Sequence, residues 1–339
     1  MRSLLKKDSS KALLFAGFIV LMLVFFMLSI SLGQTSISLK ATIHAFLQFD
    51  ESDPNSVIVM TSRLSRALIA TVVGSSLAIS GALMQALTRN PLAAPDLLGI
   101  NAGGLFFIVI SIVFFSTESL TGYMWTAFLG AAIAGMLVFL LGSIGRDGLT
   151  PVKIVLAGAA ISALFASFTQ GLLIVNEQSI QSILFWMAGS VSGRSIDMLI
   201  PVLPYILGAT IVALLLGRSI NVLLSGDDIA KGLGQRTLLL KITMGVLVVF
   251  LAGGSVAVAG SIGFVGFLVP HIVKKLVGPD HRWVLPYCAV VGASLLLAAD
   301  LAARFLIMPQ EVPIGVMTAV AGAPLFVYLV RKGLMKTGG

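Results

Sequence analysis

Charge is scarce in this chain. Only 11% of its 339 residues are charged, against about 25% in a soluble domain, which excludes an ordinary water-soluble fold. Cysteine is nearly absent. Cys288 stands alone inside an apolar run, so no internal disulfide forms, and it reads as a small buried apolar side chain rather than a reactive thiol. The three histidines, His44, His271 and His281, lack metal-ligand spacing. No G-x-x-x-x-G-K-S/T loop occurs, which excludes ATP binding by the usual phosphate-cradling route. Acidic residues almost vanish from the long apolar windows, where Asp300 in LLLAADLAARF is the exception. Gradient-driven carriers usually bury carboxylates or histidines within their spans, so the energy source is expected outside this chain. A membrane-embedded enzyme acting on lipid intermediates would need acid, base or metal-binding residues clustered near the membrane face, and none cluster.

What the chain does have is apolar length, with 58% hydrophobic residues and a mean hydropathy of +1.05. A membrane span needs about 20 apolar residues. Charge-free windows near that length are 12–39, 67–88, 97–117, 119–145, 154–176, 198–217, 242–273, 283–299 and 312–330. The first follows MRSLLKKDSSK and resembles a signal peptide, but it is too long for an h-region and no A-x-A site follows; it reads as an uncleaved span. The shorter stretch 178–193 is rich in Gly and Ser and reads as a partial, non-spanning segment covered by protein.

The window 242–273 decides the span count. As a tight helix pair broken near Gly260–Gly266, it gives ten spans and puts both termini on one side. Cytoplasmic loops carry the Lys and Arg excess. With ten spans and the N-terminus inside, only Lys40, Arg63, Arg66, Arg194 and Arg304 fall outside, and every other basic residue falls inside. Nine spans would spoil that bias. The net charge of +8 is therefore mostly a matter of orientation, and no nucleic-acid partner is expected. The sequence thus predicts an all-α, polytopic membrane protein of about ten transmembrane helices. It forms a single transmembrane domain over residues 1–339.

Segments VVGSSLAISG (72–81) and LAGGSVAVAG (251–260) match at a constant offset of 179, which also pairs Pro91 with Pro270, Leu97 with Leu276 and Gly99 with Gly278. In the ten-span topology the two segments run in opposite directions. This is an inverted repeat of the kind transporters use, with halves of roughly 60–176 and 238–332. Small residues at these spacings also let helices approach closely, so packing alone is an alternative explanation. Asp300 and Arg304, one turn apart, read as a structural ion pair near the outer surface. The largest cytoplasmic loop, 218–241, contains a short helix that Ser225 or Gly226 can cap. Asp227 and Asp228 suit its positive end, and Gly232 and Gly234 stop it. Such a helix can dock a motor, or it can be an ordinary solvated helix.

Several motifs occur in a recognisable order: RLSR (63–66), SGALMQALTRNPLAAPDLLGINAGG (80–104), LAGAAISAL (156–164), WMAGS (186–190), GDDIAKGLG (226–234), GSIGFVGFLVPHIVKKLVGPDHR (260–282), LLLAADLAAR (295–304) and EVPIGVMTAVAGAPLFVYL (311–329). Together they make the chain resemble the FecCD-type permease subunits of ABC importers for iron–siderophores, haem and cobalamin. The resemblance implies the type II ABC importer permease fold in a bacterial or archaeal cell membrane, with both termini cytoplasmic. It implies a second permease subunit (in a homo- or heterodimer), two ATP-binding subunits inside and an extracytoplasmic substrate-binding protein. The permease would be no enzyme and bind no cofactor directly, ATP and Mg belonging to the partner ATPase.

By the same resemblance, Arg63, Arg66 and Arg304 match outward-facing arginines that receive acidic residues of the binding protein. Interfacial anchoring is the alternative role. Gly226, Asp227, Asp228, Ala230, Leu233 and Gly234 match the helix that couples to the ATPase. Thr150, Pro151 and Val152 match the turn that forms the inner gate. Two departures stand out. Ser65 replaces the Pro of the usual RLPR, which is expected to loosen the start of the second helix. Pro151 and Val152 also stand where other members have small hydroxyl residues. The expected cargo is an iron–siderophore, with haem or cobalamin as alternatives, and a gradient-driven secondary transporter is the rival mechanism. Residues 81–104 are expected to act as scaffold beside the pathway rather than as a ligand site.

Overall fold

The computed structural model describes residues 5, 7–33, 35, 37–115, 119–144, 150–175 and 186–337. Among these, the chain is helical, and the one β pairing is an isolated bridge between Ile307 and Gln310. Helix α1 (Asp8–Ser31) is a long apolar rod with little of its surface covered. A short helix, α2 (Leu39–Leu47), follows, capped by the Ser38 hydroxyl, which accepts from the Ala41 amide at 3.2 Å. Helix α3 (Pro54–Leu87) starts where Asp53 accepts from the Asn55 and Ser56 amides, with Pro54 in the first turn, where a missing N–H costs nothing.

At 34 residues, α3 is about 51 Å long and overshoots the expected window at 67–88. The extra length includes a π-helical turn at Ile58–Arg63. The substitution at Ser65 does not interrupt this helix. Its hydroxyl donates to the Thr61 carbonyl at 2.7 Å, and the helix continues through it.

Next come α4 (Ile100–Phe115), α5 (Leu120–Ser143) and α6 (Pro151–Val175). Helix α7 (Leu203–Leu215) meets α8 (Gly217–Leu224) at a bend of 55°, so the expected window 198–217 is not one straight rod. The loop helix α9 (Asp227–Gly232) leads to α10 (Thr237–Ala259), α11 (Val265–Val277), α12 (His281–Phe305) and α13 (Ile314–Thr337). Much of the expected loop 218–241 is thus helix.

Six of the described helices are long and apolar enough to cross a membrane, and the bent pair α7–α8 would make a seventh. Helices α4 and α13 contribute shorter apolar stretches, Ile100–Phe115 and Ile314–Tyr328. Helix α11 has only 13 residues, about 20 Å. The ten expected segments are therefore present in order, but length and composition do not make each a full span. The window 242–273 does split, at Gly260–Phe264, where Gly260 and Phe264 both take positive φ (75° and 66°). The expected partial segment 178–193 is divided: 178–185 lie outside the described residues, and 186–193 hold only a short helical turn and loop.

Close helix approach sets the core. Helix α3 crosses α12 where Gly74 and Gly292 face each other; a Cβ on Gly74 would lie 2.4 Å from the Gly292 carbonyl oxygen. Gly81 meets Gly266 of α11 more tightly still, at 1.8 Å. Only a missing side chain permits such contacts. Ser75 adds a hydrogen bond across the first crossing, donating to the Ala289 carbonyl at 2.8 Å. The offset of 179 pairs two glycines of left-handed backbone, Gly99 (φ 66°) and Gly278 (φ 89°). The paired segments differ between those points, since α3 continues past Gly81 to Leu87 while α10 stops at Ala259.

Candidate functional site

The polar residues collect at two ends, and α12 is the ruler between them. Asp280 caps its start and Arg304 lies near its finish, roughly 36 Å apart along the helix, comparable with the hydrocarbon thickness of about 30 Å.

At the Arg304 end, two arginines share two carboxylates, and a third, Arg63, bonds backbone carbonyls. Arg66 donates through Nε to Asp300 Oδ1 at 2.8 Å and through Nη1 to Glu311 at 2.8 and 3.0 Å, with Ser192 Oγ at 3.4 Å. Arg304 donates through Nε to Asp300 Oδ2 at 3.1 Å and again through Nη2. Its Nη1 also reaches the Ser29 and Leu32 carbonyls at 2.6 and 2.8 Å. Arg63 donates to the carbonyls of Ile30 (3.1 Å), Ser31 (2.7 Å) and Thr35. The last carbonyls of a helix have no partner within it; here two arginines from other helices satisfy those of α1. Arg63 and Arg304 are consequently buried rather than presented outward as the resemblance implied. Arg66, with 12% of its side chain accessible, is the one nearest the surface. Glu311, in the loop between α12 and α13, is held below the ordinary carboxylate range: burial raises it, but bonds from Ser192 and Arg66 and the nearby arginine charges outweigh that. Arg194 lies against the Trp186 ring, 4.3 Å from its centroid.

At the other end, Asp227 bridges Arg89 (2.5 Å) and Lys241 (2.6 Å). Arg89 also donates to the Leu223 carbonyl at 3.0 Å. Burial raises Asp227, but its two cationic partners more than offset this and hold it low. Asp280 accepts from Arg282 Nη2 (2.7 Å), Nε (2.9 Å) and backbone N (3.0 Å), and from Asn221 Nδ2 at 2.6 Å. Those bonds, Arg282's side chain first, bring its pKa down to about 2. Lys11 reaches the Trp283 ring at 5.8 Å. The structure thus gathers residues the charge count assigned inside at one end and Arg63, Arg66 and Arg304 at the other.

Helix α9 is a surface knob. Gly226 (φ 127°) is its N-cap residue, one of the two expected. Ser225 is not, its hydroxyl donating back to the Asn221 carbonyl at 3.4 Å. Asp227 faces its ion partners and Asp228 is exposed. Ala230 is buried, and Gly234 (φ 79°) turns the chain away after Leu233. Ile229 and Leu233, one turn apart, present exposed apolar side chains.

Between the ends, α6 presents an uncovered apolar face that includes Val152, Leu156, Phe168 and Ile174. Thr150 starts the helix, its Oγ1 accepting from the Lys153 amide at 3.4 Å. Pro151 and Val152 line a cleft of about 220 Å³ with Thr88 and Asn90, so the expected gate lies against the turn after α3. A second cleft, of about 210 Å³, has Asn101, Thr169, Gln170, Trp186, Met187 and Ser261 in its wall. The stretch 81–104 is scaffold at Gly81 and Arg89, yet it also reaches this cleft through Asn101, which donates to Ser261 Oγ at 3.1 Å. Cys288 is buried, and no metal-binding group of His, Cys, Asp and Glu occurs among the described residues.

Sequence reasoning missed Glu311, Ser192, Arg89 and Lys241 as members of these clusters. The partners of Glu311, Ser192 and Arg89 lie more than a hundred positions away, and that of Lys241 lies 14 away, so helical spacing carries no signal of them.

Residues 21–332 match the FecCD transport family. The "Probable siderophore transport system permease protein YfiZ" of Bacillus subtilis (strain 168) is 51% identical over 328 residues, covering 97% of this chain and 98% of that protein. The "Fe(3+)-citrate import system permease protein YfmD" of the same organism is 41% identical over 328 residues, covering 97% of each. A solved structure, "An inward-facing conformation of a putative metal-chelate type ABC transporter", superposes with a TM-score of 0.82 at 31% identity, covering 94% of this chain and 99% of that one.

Proposed function

The chain belongs to the FecCD transport family, and from that premise we propose that it is the membrane permease subunit of an ATP-driven importer. Its cargo is an iron–siderophore complex, and its mechanism is alternating access. The observation that carries this reading is end-to-end similarity to a relative named as a siderophore permease. Two polar ends a membrane's thickness apart give the mechanism its places to act.

In this reading a second permease subunit, identical or related, completes the pathway against the uncovered face of α6. Two ATP-binding subunits receive α9, with Ile229 and Leu233 entering the partner surface and Asp227 holding the knob to Arg89 and Lys241. ATP and Mg stay on those subunits. Closure of the ATPases moves α9, and Thr150, Pro151 and Val152 respond as the inner gate. The halves 60–176 and 238–332 act as an inverted repeat. Both termini face the cytoplasm. An extracytoplasmic binding protein delivers cargo at the rim around Arg66, where charge sets register and association rate. Arg63 and Arg304 support that rim by pinning the end of α1.

Ferric citrate is a second reading of the cargo, favoured by the named role of YfmD. Reconstitution with partner ATPase and binding protein in vesicles tests both. Radio-iron supplied as siderophore complex should enter only with ATP on the ATPase side. Entry driven by an ion gradient without ATP would overturn the importer reading, and a preference for ferric citrate would overturn the cargo.

A further inference from the structure

Helix α2 has a face that nothing in the chain covers. Thr42 and Ala45 point inward, and Ala45 joins Ile30, Ile37, Val59, Ala67, Ala70 and Leu297 in a small core that ties α1, α2, α3 and α12 together. This fixes the helix's rotation. Ile43, Phe46 and Leu47 then lie outward at i, i+3 and i+4, and Phe49 follows; Leu47 is 78% exposed. Two neighbouring features say what covers them.

The first is level. Helix α2 comes directly after the end of α1, a membrane-spanning helix, and Arg63 ties the connection between them by donating to the Thr35 carbonyl. The exposed apolar flank of α1, including Met27 and Leu32, leads into α2. The second is charge. Lys40 is exposed at the start of α2, a cation of the kind that pairs with lipid phosphates, while Asp50, Glu51 and Asp53 follow its end. A helix with one bulky apolar face, set at the end of a span, suits the boundary between head groups and acyl chains.

We propose that α2 lies in the plane of the membrane as an interfacial anchor, burying Ile43, Phe46, Leu47 and Phe49 among the lipids of the leaflet at the Arg66 end. Because α2 packs on the turn that carries Arg63, the lipid boundary sets the level of the rim. The inference rests on the multi-pass membrane character of the chain and is independent of the cargo.

Nitroxide accessibility tests it. Leu47→Cys, Phe46→Cys and Glu51→Cys are each labelled in the full chain, assembled with its ATPase in phosphatidylcholine–phosphatidylglycerol vesicles. Buried Cys288 leaves the background unlabelled. Relaxation by oxygen should exceed relaxation by a water-soluble nickel chelate severalfold at 46 and 47, with the reverse at 51. Nickel accessibility at 47 equal to that at 51 would place the face in water and overturn the proposal. Protection of position 47 by added binding protein, without prior oxygen preference, would assign the face to that partner instead. Should Leu47→Cys fail to assemble, Ile43→Cys reads the same face.

Discussion

Arg66 and Asp300 stand 234 positions apart in the chain, and the guanidinium Nε of one donates to the carboxylate of the other at 2.8 Å. Asp300 has no accessible side-chain surface and also holds Arg304. One buried acid therefore fastens two helices and, through Arg304, the end of a third. Removing one partner of a buried ion pair leaves charge without compensation. Asp300→Asn should cost about 3–5 kcal/mol, visible as a large loss of thermal stability in detergent. Glu311→Gln, at a more open position, should cost less than half as much. Equal losses from the two variants would contradict the central role of Asp300.

The glycine crossing makes a different prediction. Gly292→Ala forces a methyl group against the Gly74 carbonyl, 2.3 Å from where the new Cβ would sit. Overpacking of this kind costs about 1–3 kcal/mol. Gly208 of α7 is a helical glycine with nothing near its Cβ position, and Gly208→Ala should be neutral or stabilising by up to about 1 kcal/mol. Melting of the two variants side by side checks this, and an unaffected Gly292→Ala would mean that α3 and α12 can separate freely.

Coupling through α9 predicts separable loss of function. Ile229→Asp with Leu233→Asp alters exposed positions, so permease stability should stay within about 0.5 kcal/mol. Co-purification of the ATPase and ATP-driven uptake should both fall sharply. A double variant that retains normal ATPase binding would remove α9 from the interface.

Acid sensitivity should localise in part to Asp280. Its folded-state pKa, about 2, lies below the ordinary 3.8. A depressed carboxylate contributes stability that is complete above its unfolded pKa and is lost as pH falls through the folded value. Asp227 and Glu311 are also held low and act in the same direction. The stability these three carboxylates supply should therefore be flat above about pH 5 and decline below about pH 4. Asp280→Asn should lower stability at neutral pH and shallow the acid decline. An unchanged acid slope in that variant would show that these bonds contribute little.

The reach of the sequence follows the reach of its physics. Apolar windows and the Lys and Arg bias are local or additive signals, so they located the helices and sorted Arg63, Arg66 and Arg304 from Arg89, Lys241 and Arg282. The break in 242–273 was readable because glycines cluster there. Arg63 looked outward because a cation at the end of a span usually meets water, and nothing local announces that the carbonyls of Ile30 and Ser31 wait for it. Ser225 looked like a cap because Ser favours that position; the positive φ of Gly226 and the pull of Arg89 and Lys241 on Asp227 fixed the start of α9 without it. The partnership of Arg66 with Glu311 depends on how loops close over the helix ends, and no periodicity encodes that.

The break at Gly260 also bears on how the chain is made. The backbone opened there is closed by other segments: Ser190 N donates to the Ala259 carbonyl at 2.8 Å, Ser261 N to Trp186 at 3.0 Å, and Gly315 N to Gly189 at 3.1 Å. Unpaired peptide groups are expensive at membrane depth. The Gly189 carbonyl therefore gains its partner only after residue 315 has left the ribosome. Until then this region must keep water, lipid head groups or an insertion factor beside it, and a chain truncated before α13 is expected to remain in that provisional state.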